Sequence, residues 1–400
     1  MVMVIAACGG SSPVATRSSF GATSTAQPSH VPTSASPLRT VAPPVGGPVP
    51  PGFEPASYTF VSADDGWVLG TAPCALPPCT SLLRTRDEGR TWVGIPAPRT
   101  PLAIAVGFNG PVTSGVSTVR FADELHGWVF GPELWETQDG GGHWTQGPVP
   151  GPSPSDSVVA ALETNGNAVD AVVVSGVSGQ SAAGTAQLYT ASVATERWSA
   201  VPGVRVASAE VETLALHGQS GWLVLLPASG TGPGTAHFFT RGENAWEAGT
   251  LPCVQGSESG RLAVSSAADV LLVCADGAAA GSQAKTAYVS HDSGRTYARV
   301  GTPPFAGDFM ALAAASPSTA VIAAASGASY LDATFDGGHS WSEVLVDSQS
   351  GGEPWADLGF TTATQGAVIE GRPGSGPGQP ASRMLITRDG GHTWSAISFR

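Results

Sequence analysis

Five aspartates recur in one local pattern, and their carboxylates are the groups in this chain most ready to do chemistry. The segments Thr85-Arg-Asp-Glu-Gly-Arg-Thr-Trp92, Thr137-Gln-Asp-Gly-Gly-Gly-His-Trp144, Ser290-His-Asp-Ser-Gly-Arg-Thr-Tyr297, Thr334-Phe-Asp-Gly-Gly-His-Ser-Trp341 and Thr387-Arg-Asp-Gly-Gly-His-Thr-Trp394 share the form Ser/Thr-x-Asp-x-Gly-x-x-aromatic. A carboxylate can serve as general acid or base, nucleophile or metal ligand. Five equivalent copies spread along the chain (Asp87, Asp139, Asp292, Asp336 and Asp389) cannot converge on one substrate. A short Asp side chain accepts backbone N–H bonds across its own turn, and glycine supplies a positive φ there. The Ser/Thr hydroxyl adds a local bond, and the aromatic packs sideways on the sheet. These aspartates therefore read as keepers of the fold. The acid pairs Asp64-Asp65 and Asp123-Glu124 share one turn position and read as solvated. Gly374-Ser-Gly-Pro-Gly-Gln-Pro380 lacks the Lys-Ser/Thr that phosphate binding needs. No calcium loop and no Ser-His-Asp order appear, so no catalytic residue, metal or cofactor is expected.

The elements that would carry such turns follow from the repeat. Two worn copies end at Trp198 and Trp246, giving seven aromatic positions at 92, 144, 198, 246, 297, 341 and 394. A second element precedes each copy: Phe60 and Trp67, Phe121 and Trp128, and Phe360 and Ala367 are each seven apart. The interval recurs weakly at Leu162/Val169, Ala215/Trp222, Val264/Leu271 and Ala314/Val321. Each unit reads as strand, tight turn, strand, variable loop, strand, box turn, strand. Four short antiparallel strands in about 50 residues, repeated radially, make a propeller blade. A solenoid would need atypical capping repeats, whereas the first and last copies here are among the best preserved.

The repeated segments, together with Phe60-Val-Ser-Ala-Asp-Asp-Gly-Trp-Val-Leu-Gly70, resemble the Asp-box (BNR) seven-bladed propellers related to the photosystem II assembly/stability factor. Sialidases and sortilin share the box more distantly. The resemblance covers residues 53–400 and implies an all-β fold, a seven-bladed β-propeller of four-stranded antiparallel blades. Likeness to the assembly-factor group implies a non-enzymatic protein-binding scaffold. Likeness to sialidases implies a glycoside hydrolase with three converging arginines, a tyrosine nucleophile paired with a glutamate, and an aspartate acid. Tyr189 and Tyr288 share the strand register of Leu83, Trp135 and Leu385, Tyr297 is a box aromatic, and Tyr58 and Tyr330 lie in strands. The Arg-Ile-Pro motif is absent. Arg120, Arg205 and Arg261 could point inward and could equally be solvated strand residues. No sialidase constellation emerges.

Ile5-Ala6-Ala7-Cys8 resembles a bacterial lipobox, whose cysteine carries the lipid anchor. The basic region and apolar stretch of a secretory signal are cut short before it, so the true start is expected upstream. Residues 1–8 thus read as a truncated lipoprotein signal, and 9–52 as a disordered Ser/Thr/Pro/Gly-rich tether unable to offset chain entropy. Residues 53–400 form the body. The expected location is the outer face of the cytoplasmic membrane. Four cysteines remain, an even number for an oxidising compartment, and without Cys-x-x-Cys or clustered histidines they point to disulfides rather than zinc. The expected bridges are Cys74–Cys79 and Cys253–Cys274.

The formal charge of −13, with Lys285 the single lysine, excludes a phosphate-backbone binder. No apolar run reaches the roughly 18 residues of a membrane span. A monomer is expected that binds another protein or a cell-wall glycan, with a divergent exo-sialidase-like hydrolase as the alternative. Its binding groups are sought on the variable-loop face, at Arg99, Glu133, Trp355 and Arg372.

Overall fold

The computed structural model describes residues 42–103, 114–152, 154–176, 184–227, 236–242, 245–253, 259–278, 280–374 and 381–400. Apart from one 3-10 turn at Pro154–Asp156, its regular elements are strands, paired antiparallel throughout. The first sheet holds β1 (Glu54–Phe60), β2 (Asp65–Thr71), β3 (Thr80–Arg86) and β4 (Val93–Ile95). The second holds β5 (Thr118–Phe121), β6 (Gly127–Phe130), β7 (Leu134–Thr137) and β8 (Thr145–Gln146). Then β9 (Ser157–Thr164), β10 (Ala168–Ser175), β11 (Gly184–Ser192), β12 (Ser199–His217), β13 (Ser220–Pro227), β14 (His237–Arg241) and β15 (Trp246–Gly249) join in one sheet of seven strands. Three more four-stranded sheets follow. They are β16 (Ser259–Val264), β17 (Val270–Ala278), β18 (Gln283–Ser290) and β19 (Ala298–Gly301); β20 (Asp308–Ala314), β21 (Ala320–Ala325), β22 (Ser329–Thr334) and β23 (Ser342–Asp347); and β24 (Trp355–Phe360), β25 (Gly366–Glu370), β26 (Arg383–Thr387) and β27 (Ser395–Ala396).

The large sheet has a simple origin. β12 pairs with β11 from Ser199 to Ala209 and with β13 from Ala209 to His217, so an outer strand runs directly into the next inner strand. Ser208 takes a positive φ of 51° at this switch. Residues 42–52, which the sequence assigns to the tether, reach the edge of β4, where Gly47 and Gly94 exchange both backbone bonds.

Burial explains the strand compositions. Middle strands are covered on both faces and read as continuous apolar runs; Ala320–Ala325 is buried at every position. Outer strands such as β8 and β27 are two residues long and exposed, which limits free sheet edge. The core is a series of apolar layers between successive sheets. The Phe-to-Trp interval has a packing cause. Phe60, Phe121 and Phe360 lie in register opposite Gly66, Gly127 and Gly366. Each ring covers its glycine so closely that an added Cβ would come within 2.4, 2.5 and 2.6 Å of it. The Phe121 ring then stacks on Trp67 of the preceding sheet, with centroids 3.9 Å apart.

The first and last sheets pack on each other without exchanging a strand. Tyr58, Val68 and Leu83 share an apolar layer with Ile369, Met384 and Ile386. Phe399 meets Phe53 and Trp92 edge-on, at 5.1 and 5.4 Å. The Ser382 hydroxyl donates to the Pro55 carbonyl at 2.7 Å.

Candidate functional site

The box aspartates are spent on their own turns. Asp87 accepts from the backbone N–H and hydroxyl of Thr91 at 2.8 and 2.7 Å, while Gly89 N–H donates to Thr85 Oγ1 at 3.0 Å. The same circuit forms at Asp292 with Thr296, at Asp336 with Ser340 and at Asp389 with Thr393. At Asp139, His143 supplies both donors. The hydroxyl bonds from Thr296 and Ser340 push Asp292 and Asp336 down to about 2. Burial opposes the same effect at Asp389, and the bonds from Thr393 still bring it to about 2. A carboxylate held so low, with both oxygens engaged, is no general acid near neutral pH. Trp92, Trp341 and Trp394 donate their indole N–H to Gly89, Gly338 and Gly391 of their own turns at 3.1–3.2 Å. Trp144 donates instead to Pro96 at 3.0 Å. Tyr297 packs edge-on against Phe238, and burial pushes its phenol up.

Charged groups converge where the inner strands meet. Arg120 on β5 reaches Glu163 on β9 through Nε at 2.8 Å and Asp357 on β24 through Nη2 at 3.0 Å. Its Nη1 donates to the Val119 and Tyr58 carbonyls at 2.9 and 3.3 Å. Asp357, strained at φ 50°, also accepts from the Ser57 hydroxyl and from Tyr58 N–H at 3.1 Å. These groups floor a cavity of about 230 Å³, lined also by Phe60, Gly359 and Phe360. Burial favours a neutral Glu163, partly opposed by Arg120; burial also works against a charged Arg120, but the two carboxylates overcome it and hold the guanidinium firmly charged. Tyr58 donates to the Ala367 and Gly359 carbonyls at 2.6 and 3.2 Å and is raised by burial, so it is no nucleophile. The cavity lies at the ends of β1 and β24 next to the tight turns. Box and tight turn of one unit bond each other, as in Glu88 N–H to Asp64 O and Gly140 N–H to Leu125 O, so both occupy this face.

No family model and no curated protein matches the chain. Solved structures do. YCF48 bound to a D1 peptide shares 19% identity at a TM-score of 0.54, covering 88% of this chain and 99% of that one. YCF48 from Cyanidioschyzon merolae gives 19% and 0.51, covering 86% and 97%. The β-propeller domain of the Trilobed protease from Pyrococcus furiosus, described as having an open velcro topology, gives 8% and 0.51, covering 87% and 98%. The chain folds as a β-propeller. At these identities the likeness speaks for fold alone.

Within this propeller the sequence-named residues lie as follows. Cys74 is bonded to Cys79, and Cys253 to Cys274, closing the β2–β3 loop and tying the segment after β15 to β17. Cys8 lies outside the described residues. Arg99 and Arg372 are exposed. Glu133 is not a free surface acid: it accepts from Trp135 Nε1, Thr100 Oγ1 and Gly115 N–H, each at 2.8 Å. Trp355 does not belong to an exposed face at all. It is 6% exposed between the last two sheets and donates to the Ala324 carbonyl at 3.0 Å. Loop position suggested exposure for both, but a Trp at a strand start is drawn into the inter-sheet layer. Of the three arginines considered for the interior, Arg120 and Arg261 reach carboxylates, Glu212 being 3.0 Å from Arg261, whereas Arg205 is exposed. Glu163, Asp357 and Ser57 carried no local motif; the available signal was a charge amid apolar inner-strand residues. Among the described residues no group of three or more His, Cys, Asp or Glu could hold a metal, and no helix is long and apolar enough to cross a membrane.

Proposed function

We propose that this protein is a seven-bladed propeller that binds a segment of another protein as an assembly scaffold, held on the outer face of the cytoplasmic membrane by a lipid on Cys8. The seven-blade reading draws support from five four-stranded sheets and a seven-stranded one that β12 divides into two halves of four. The observation that carries the binding reading is the saturation of the central charges. Arg120 joins Glu163 and Asp357, and the Ser57 hydroxyl and Tyr58 N–H also donate to Asp357, so the group is tied into the inner strands. YCF48, whose fold this chain shares, binds a D1 peptide, which supports a protein segment as the ligand class. The test is photo-crosslinking in the native envelope followed by pull-down. Amine-directed reagents are unsuitable because the only lysine is 1% exposed. One partner enriched over a propeller-deleted control is expected, and recovery of none would refute the scaffold. Release of the protein from the membrane fraction by Cys8→Ala tests the anchor.

One observation favours a second reading. Two carboxylates and an arginine meet above a cavity at the inner strands, the arrangement a divergent glycoside hydrolase would need. Turnover of fluorogenic glycosides by the purified body, abolished by Glu163→Gln, would establish it.

A further inference from the structure

The seam between the second and third units holds two carboxyl groups that meet without a donor. Glu136 stands on β7, opposite Trp128 of β6 and Thr145 of β8. Glu196 belongs to the worn box after β11 and takes a left-handed backbone at φ 50°. The two side chains lie within hydrogen-bonding reach of each other. Glu136 Oε2 and Glu196 Oε1 are both buried, and neither accepts from any donor. Gln138, at the end of β7, donates to the other Glu196 oxygen at 3.0 Å and so crosses the same seam. The Trp128 indole N–H is also unpartnered, on a side chain 0% exposed. Among the described residues no cation answers the pair: Arg197 is exposed and makes no ion pair, and His143 is engaged by Asp139 at 2.6 Å.

Two ionised carboxylates held this close repel, and a buried oxygen without a donor is costly. One proton removes both penalties, because the protonated acid then donates to the remaining carboxylate in a charge-assisted hydrogen bond. We infer that a proton shared by Glu136 and Glu196 joins the second and third units, and that its loss in alkali loosens their seam. Burial, and then the neighbouring Glu196, pushes Glu136 up to about 8, so the proton is kept at neutral pH. Hydroxide takes it away as water and leaves two carboxylates side by side. Relative to the unfolded chain, stability falls as pH rises from the ordinary glutamate value to this one; the seam itself loosens at the upper end, where the proton leaves. Arg120 of the second unit and Glu163 of the third cross the same seam at its inner end, 2.8 Å apart, so the joint bears on one wall of the central cavity.

Infrared titration of the intact protein from about pH 6 to about pH 10 reads the shared proton as a carboxylic acid band. Asp332 contributes a band of its own near 7, so each protein is compared with the same protein carrying Glu136→Gln. The difference band should vanish with a midpoint near 8 in the wild type. Glu196→Gln should lower that midpoint by about one unit or more. The Trp128 indole N–H, followed by NMR, reads the seam. At about pH 9 it should exchange with solvent faster in the wild type than in Glu136→Gln, whose amide stands in for the protonated acid at every pH. Near-UV circular dichroism at about pH 6 should superimpose for all three proteins. A midpoint unmoved by Glu196→Gln makes Glu136 a lone buried acid and overturns the sharing. A midpoint that shifts with added calcium chloride places a cation between the carboxylates and overturns it as well. Equal indole exchange in the wild type and Glu136→Gln overturns the loosening of the seam.

Discussion

Replacing Lys285 by methionine keeps the length of the side chain and removes its charge. The Lys285 ammonium is surrounded by five carbonyls, of Gln283, Pro304, Phe305, Ala306 and Gly307, at 3.0 to 3.5 Å. Three N–H donors can serve about three of them at a time. The thioether supplies none, and each buried carbonyl left unpaired costs about 1–3 kcal/mol. Relaxation of the 302–307 loop and entry of water recover part of this. The expected loss is about 3–5 kcal/mol, the usual cost of removing one partner from a buried charged cluster. Asp332 adds a pH dependence. It is buried with neither carboxylate oxygen hydrogen-bonded, and burial pushes it up to about 7. A carboxylate raised in the folded state destabilises progressively as pH rises from its unfolded value towards its folded one. Without the nearby ammonium that folded value climbs further, so the variant's deficit should be larger at pH 8 than at pH 6. Urea unfolding followed by tryptophan fluorescence at both pH values measures it, with an unchanged denaturant slope expected. A second readout needs no mutation: acetylation of the native protein should leave Lys285 unmodified, and in urea it should react fully. A loss below about 1 kcal/mol, or native reactivity equal to a free lysine, would refute the reasoning.

Gly127→Ala should cost about 1–3 kcal/mol in urea unfolding, because the new methyl meets a Phe121 ring that Trp67 prevents from retreating; adding Phe121→Leu should restore most of it. Burial, with Glu196 beside it, raises Glu136 to about 8, so stability should fall as pH rises from about 4.5 to 8. Glu196→Gln should flatten that slope and gain about 1–2 kcal/mol at pH 8 after allowance for solvent screening. Replacing Cys253 and Cys274 by serine opens a link across 21 residues and should cost about 3 kcal/mol in the chain-entropy model, with non-reduced peptide maps of the parent showing the 253–274 pair.

What could be seen in the sequence was local. A box turn closes within eight residues, so its hydroxyl, carboxylate, glycine and aromatic leave a pattern wherever it occurs. The Phe-to-Trp interval is equally local, since Phe60 and Gly66 face each other across one tight turn. The central cluster is not local. Arg120 lies 43 residues from Glu163 and 237 from Asp357, and only the meeting of inner strands joins them. Glu133 and Trp355 were misplaced for a related reason: a loop address says nothing of what a side chain folds back upon. The merged sheet was hidden because β12 crosses between partners without a glycine or proline at the crossing itself, where Ala207, Ser208 and Ala209 stand.

The worn units show what the box does for its neighbours. Trp67 of the first sheet donates its indole N–H to Gly140 O in the box of the second, at 3.4 Å. Trp222 does the same to Ser293 O in the box that follows it, at 2.9 Å. An intact box is thus a joint between units as well as a turn within one, because its carbonyls point at the preceding sheet. Trp128 occupies the equivalent place before the first worn box, where Ala191, Val193 and Thr195 replace the hydroxyl, carboxylate and glycine positions. Its indole N–H is buried and unpartnered, and Glu196, at φ 50°, is brought beside Glu136 instead. That gap lies between the second and third units, whereas β12, which begins in the worn unit and ends in the fourth, fuses the third unit to the one after it. Continuity through β12 therefore secures only the far side of the worn unit, and on its near side the sheets are held by the apolar layer that Trp128 shares with Leu162, Val169 and Tyr189.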